Sequence, residues 1–159
     1  FVLLWAGFFR DIEFNVSETP KRYAVYAIHK GSYAKSDVTI REVEKFLNSQ
    51  GVYADTSFGL YFQNPKEVPT ELLTSWVGYL VSDPIETTAP FYLLEIPAGK
   101  KVTTEFIGHP MVSAFKIYPK LMEYLKIYNY KQDTKVYEFY TKKSLGQYLI
   151  NIEADIVAE

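Results

Sequence analysis

One pattern runs through this chain twice: strand, strand, helix, strand, strand. In the first pass, "DIEFNV" alternates apolar and polar residues as a half-buried strand does, and "SETPK" breaks it with a turn. "RYAVYAIHKG" reads as a second strand closed by Gly31. A helix follows, with Ile40, Val43, Phe46 and Leu47 on one stripe. Thr39 and Glu42 fit a capping box at its start, and Gly51 falls where a left-handed cap ends a helix. "SFGLYFQNP" is the next strand, stopped at Asn64-Pro65, and "SWVGYLV" is the fourth. After the connector "SDPIETTAP" the order begins again with "FYLLEIPAGK" and "KVTTEFIGH". Pro110 suits the first position of a helix in which Met111, Phe115, Tyr118, Met122 and Leu125 recur at helical spacing. Pro119 is expected to kink or split that helix. "TKVYEFYTKK" and "QYLINIEADIV" complete the second pass.

Three anchors align the passes: Glu13-Phe14 with Glu95-Ile96, Gly31 with Gly108, and Leu60 with Glu138. The expectation is an α+β fold forming one domain over residues 1–159. It is a tandem pseudo-symmetric repeat with halves at about 8–82 and 91–157. Antiparallel sheets carry the helices on one face, and a groove lies between the halves.

Glu138 stands out, because a charge within an aromatic strand is costly unless it has a partner or a task. Strand alternation puts Val136, Glu138 and Tyr140 on one face and Tyr137 and Phe139 on the other. A lone carboxylate fits poorly against helices, so Glu138 and Tyr140 are expected to face the groove. Leu60 and Phe62 would line it from the other half, with Tyr33 and Trp76 as further walls. The plainer alternatives are an edge-strand carboxylate paired with Lys135 or Lys142, and aromatic residues that only pack a core.

Composition narrows the function. A net charge of −2 over 159 residues argues against a nucleic-acid surface. With no cysteine, disulfide scaffolds and thiolate zinc sites are excluded. His29 and His109 are the only histidines, so no metal site and no cofactor are expected, and each reads best as a solvated turn histidine. Aromatic residues make up 17% of the chain, 14 of them Tyr, whose apolar body and polar tip suit ligand pockets. "FVLLWAGFF" is shorter than the roughly 20 residues a membrane span needs. It is either a first strand, the preferred reading from composition, or the end of an anchor. Asn15-Val16-Ser17 forms a glycosylation sequon of a kind common by chance.

"GLYFQNPKEVP" followed by "WVGYLV" resembles the strand, Asn-Pro turn and return strand of GyrI-like small-molecule-binding domains, within the SOUL-related superfamily. "YAIHKGSY" is similar to the family's second strand and glycine turn, and "VYEFY" to its late strand with an acidic residue. Together with "LLWAGFF", these stretches look most like the stand-alone, membrane-anchored branch that includes the vertebrate ER-phagy receptor with a GyrI-like domain. The resemblance implies an effector-binding module. An acid at the position of Glu138 would offset a cationic ligand in an aromatic pocket. It also implies a hydrolytic alternative, since some members open cyclopropane-containing compounds with an acid among aromatic neighbours.

The leading expectation is therefore a binding module. It would hold a small hydrophobic or cationic molecule over Glu138, with Tyr140, Tyr33, Phe62, Leu60 and Trp76 around it. One alternative is a hydrolase in which Glu138 activates water. The other is a membrane-tethered adaptor or subunit of a larger assembly with a vestigial pocket. Binding is favoured over catalysis. Membrane anchorage through the N-terminus and a cytoplasmic location are the two settings these readings leave.

Overall fold

The computed structural model describes residues 11–158. The expected strand or anchor in "FVLLWAGFF" lies outside the described residues. The elements run β1 (Asn15–Thr19), β2 (Arg22–Lys30), α1 (Asp37–Ser49), β3 (Thr56–Tyr61), β4 (Thr74–Val81), β5 (Tyr92–Ile96), β6 (Gly99–Gly108), α2 (Pro110–Ile127), β7 (Val136–Ser144) and β8 (Gln147–Asp155). Short 3-10 turns lie at Tyr33–Lys35 and Thr70–Leu72. The fold is α+β, and the strand pairs within each unit are antiparallel.

The chain forms two compact units, divided at Thr19/Pro20 and Ala98/Gly99. These boundaries fall between the first and second strands of each sequence pass, not in the connector. Hence β5 pairs with β2, and β1 pairs with β6.

The unit Pro20–Ala98 has strand order β3-β4-β2-β5 with α1 on one face. Alternation along β2 sends Val25 and Ala27 into a core with Val43 and Leu47 of α1 and Val81 of β4. Tyr26 and Ile28 therefore point to the opposite face. Helix α1 starts two residues before the expected capping box. Thr39 thus lies inside the first turn, and its hydroxyl lies 3.0 Å from His29 Nδ1. The His29 Nε2 donates to the Ser32 carbonyl at 2.9 Å, so Thr39 donates to Nδ1 when the ring is neutral. His29 is thus a half-buried staple between strand and helix, not a solvated turn residue. Gly51 (φ +70°) ends the helix as expected, with the Val52 N–H returning to the Leu47 carbonyl.

The other unit has order β1-β6-β8-β7 with α2. Ile117, Leu121 and Leu125 recur every four residues on α2. They meet Val102 and Phe106 of β6, Ile150, Ile152 and Ala154 of β8, and Val136 of β7. Full burial of each large aliphatic side chain contributes about 1.5–3 kcal/mol. Tyr118 and Met122 flank this stripe; the Met111 and Phe115 side chains lie outside the described residues. The helix runs unbroken through Pro119, contrary to the expected break. Pro119 itself is exposed.

Strand β1 also lies later than its alternation suggests, since Ser17 to Thr19 are strand and not turn. Cross-strand bonds hold them there. Ser17 Oγ meets Thr103 Oγ1 at 3.0 Å, and the Thr19 hydroxyl donates to the Gly99 carbonyl at 2.9 Å. The buried Lys101 ammonium donates to Thr19 Oγ1 at 3.1 Å.

Candidate functional site

Glu138 sits mid-strand on β7 and is 6% exposed. Its register neighbours alternate with it: Val136 faces Ala154, Glu138 faces Ile152, and Tyr140 faces Ile150. All three partners belong to the core under α2, and Tyr140 packs against the same core. The face carrying Glu138 is therefore the helix-covered face, the reverse of the expected orientation. What makes this tolerable is Tyr118 of α2, whose hydroxyl donates a hydrogen bond to Glu138 Oε1. A helix residue read as core packing thus carries the polar contact that lets an acid lie beneath the helix.

Burial pushes the Glu138 carboxyl up to about 7, and the Tyr118 hydrogen bond partly opposes that rise. Near neutral pH the group is split between its charged and neutral forms. It can accept a proton, give one up, or serve as counter-charge to a cation that displaces the proton. Such poise between forms is also what a general acid or base needs.

The second group of predicted residues lies in the unit Pro20–Ala98. Leu60 faces Trp76, and Trp76 faces Ile28, on the side of the sheet opposite α1. Tyr26 stacks on Trp76 with centroids 4.5 Å apart and planes at 17°. Tyr92 approaches Tyr26 at 5.6 Å, and Phe62 meets Trp76 edge-on at 5.0 Å. The result is an aromatic platform whose outer members, Phe62 and Tyr92, remain 43% and 39% exposed. Leu60 is buried beneath it. Burial also raises the Tyr26 phenol above its usual value, with Tyr92 adding to the effect.

Gly78 is obligatory in this sheet. A Cβ there would stand 2.0 Å from the Val25 carbonyl oxygen, so only glycine lets β4 lie this close to β2.

Tyr33 is not part of the platform. Its hydroxyl lies 3.0 Å from the Gln63 carbonyl and 3.3 Å from that of Thr74, and it accepts the Gln63 N–H at 3.2 Å. Its ring packs edge-on against Tyr61 at 4.8 Å. Gln63 Oε1 in turn accepts the Thr74 N–H at 2.8 Å. Tyr33 thus fixes the segment just after Phe62 instead of forming a wall.

The residues that sequence reasoning missed are Tyr26, Tyr92 and the role of Tyr118. Tyr26 was accessible through alternation along "YAVYAIHKG". Tyr92 was not, because its place depends on β5 pairing with β2. Among the described residues, no three His, Cys, Asp or Glu side chains cluster to hold a metal ion. Among them also, no helix is long and apolar enough to cross a membrane.

The family model of the GyrI-like small molecule binding domain matches residues 12–152. The chain belongs to that family. In fold, this GyrI-like domain is similar to the crystal structure of the EcmrR C-terminal domain. The TM-score is 0.73 at 13% identity, covering 93% of this chain and 99% of that one. It is equally similar (TM-score 0.73, 15% identity) to EcmrR in a complex with DNA, covering 93% of this chain but 58% of the EcmrR chain. SAV2435 bound to tetraphenylphosphonium matches with a TM-score of 0.54 at 13% identity, covering 91% of this chain and 94% of that one. No curated protein matches the chain in sequence. The narrower expectation of a membrane-anchored branch gains no support from these matches.

Proposed function

We propose that this GyrI-like domain binds a small lipophilic cation, with Glu138 as the proton-exchanging counter-charge. The observation that carries this reading is a buried acid held near neutrality, with the Tyr118 hydroxyl as a hydrogen-bond partner. A structural acid kept only for packing could be an apolar residue at lower cost. An acid poised near pH 7 can instead release its proton when a cation arrives. Tyr140 lies on the same strand face as Glu138 and is assigned to the ligand with it. The platform of Tyr26, Trp76, Phe62 and Tyr92, over Leu60, is a separate aromatic surface within the unit Pro20–Ala98, where a cation lying on exposed Phe62 or Tyr92 would gain about 0.5–2 kcal/mol per ring. Tyr33 contributes by positioning the Phe62 segment. Family membership supports small-molecule binding, and the likeness to SAV2435 with tetraphenylphosphonium suggests the probe.

Calorimetric titration with tetraphenylphosphonium tests this. Binding should strengthen from pH 6 to pH 8 and release protons to buffer. Glu138→Gln should weaken it at least tenfold at pH 8 and remove the pH dependence. Equal affinity in wild type and Glu138→Gln would defeat the assignment.

A second reading is hydrolytic. It rests on the same poised acid, and one similar fold is described as a hydrolase from Listeria innocua, with a TM-score of 0.57 at 11% identity. Glu138 would then take a proton from water as the water oxygen bonds to a ring carbon; the strained C–C bond breaks, its electron pair stays on the released carbon, and that carbon takes up the proton. Turnover of a cyclopropane-bearing substrate, lost in Glu138→Gln, would distinguish this from simple binding.

A further inference from the structure

A cleft of about 450 Å³ opens beside the C-terminal end of α1, lined by Phe46, Gln50, Glu86, Thr87 and Thr88. Its volume falls within the range of small-ligand sites. All five residues lie in the unit Pro20–Ala98, and none belongs to the aromatic platform.

The floor is apolar and organised. The Phe46 ring stacks face to face on Phe91, with centroids 4.5 Å apart and planes at 16°. Both rings are half-buried and pack against the α1 core from outside. A turn fixes the pair, since the Phe91 N–H donates to the Thr88 carbonyl at 3.0 Å. The Thr88 backbone that borders the cleft thereby also seats the ring under Phe46.

The electrostatics have one sign. The last turn of α1 carries no basic residue, and its Phe46, Leu47 and Asn48 carbonyls are capped by the N–H groups of Gln50, Gly51 and Val52, so the charge at this end comes from side chains. Glu86 adds a full negative charge at the rim, and the lining includes no Lys or Arg. Gln50 and the two threonines supply neutral donors and acceptors. An aromatic floor under a negative rim selects a small organic cation with a flat apolar part. The ring stacks on Phe46, and the ammonium lies toward Glu86.

We infer that this cleft is a second binding site, for a small aromatic ammonium compound, separate from the site proposed around Glu138. Benzyltrimethylammonium is a suitable probe, followed by amide chemical-shift changes on the whole chain. The expected result is saturable shifts at Phe46, Gln50, Thr87 and Thr88. Glu86→Gln should weaken the apparent affinity at least fivefold. Phe46→Leu, which keeps an apolar contact but removes the stacking face, should weaken it similarly. Glu138→Gln should leave these shifts unchanged, so failure of this site and failure of the Glu138 reading can be told apart. Shifts that do not saturate, that arise elsewhere, or that persist unchanged in Glu86→Gln would overturn the inference.

Discussion

Glu138→Gln also makes a sharp test without any ligand. Burial pushes the folded carboxyl up to about 7, against about 4.5 for a free glutamate. Below about pH 4.5 both folded and unfolded chains hold the proton, and the group has no net effect. As pH rises from there to 7, the unfolded chain loses its proton while the folded one keeps it. The unfolded state binds fewer protons, so stability falls with rising pH across this window and levels off above it. The shift is about 2.5 units, which at 1.36 kcal/mol each gives a loss of about 3 kcal/mol. Glutamine keeps the shape and an oxygen for Tyr118 but does not titrate. Part of this loss falls below pH 5, so relative to wild type the variant should gain about 2.5 kcal/mol between pH 5 and pH 8. That corresponds to roughly 5–10 °C in melting temperature for a chain of this size. Denaturant titrations across this pH range give the difference. Amide exchange in β8 reads the unit that contains Glu138 even if the two units melt apart. A stability difference that stays constant within about 0.5 kcal/mol from pH 5 to pH 8 would refute the buried, poised acid.

Two further outcomes follow from the same geometry. Tyr118→Phe removes the hydrogen bond that holds the Glu138 pKa down, so the titration midpoint should move upward; a 13C-detected titration of the Glu138 carboxyl would show it, and an unchanged midpoint would contradict the contact. Gly78→Ala should cost several kcal/mol, because its Cβ would collide with the backbone of β2 and not with a movable side chain; a urea midpoint within about 1 kcal/mol of wild type would argue against that close approach.

Much of the architecture is legible in local pattern, because strands and helices are local events. Gly51, the strand "KVTTEFIGH" and Pro110 as the first residue of a helix need only the neighbouring residues. Most of the failures involve partners distant in sequence; the split expected at Pro119 does not. Thr39 has the spacing of a capping residue, but His29 on the preceding strand is where its hydroxyl goes. Ser17 and Thr19 look like turn formers until Thr103, Gly99 and Lys101 are opposite them. The orientation of Glu138 was inferred from the cost of charge beneath a helix. Tyr118, twenty residues away, changes that cost, and nothing in the strand itself announces it. Leu60, Phe62 and Trp76 were expected as groove walls around Glu138; they lie together on one sheet face of the unit Pro20–Ala98. Tyr33 instead ties the segment at Gln63 to Thr74, because an aromatic wall and an aromatic staple look alike in sequence.

The division of the chain at Thr19/Pro20 and Ala98/Gly99 has a consequence for synthesis on the ribosome. The unit Pro20–Ala98 draws every strand from one continuous stretch and can close as soon as that stretch emerges. The other unit cannot. Strand β1 is made first, yet its register partners run from Gly99 to Thr103 on β6. It must wait, with its backbone hydrogen bonds unmet, while an entire neighbouring unit is translated. Its five residues, NVSET, suit that wait: four are polar, and Val16 stays exposed even after folding. A strand so poor in apolar residues gives a growing chain little reason to pair wrongly before its partner exists.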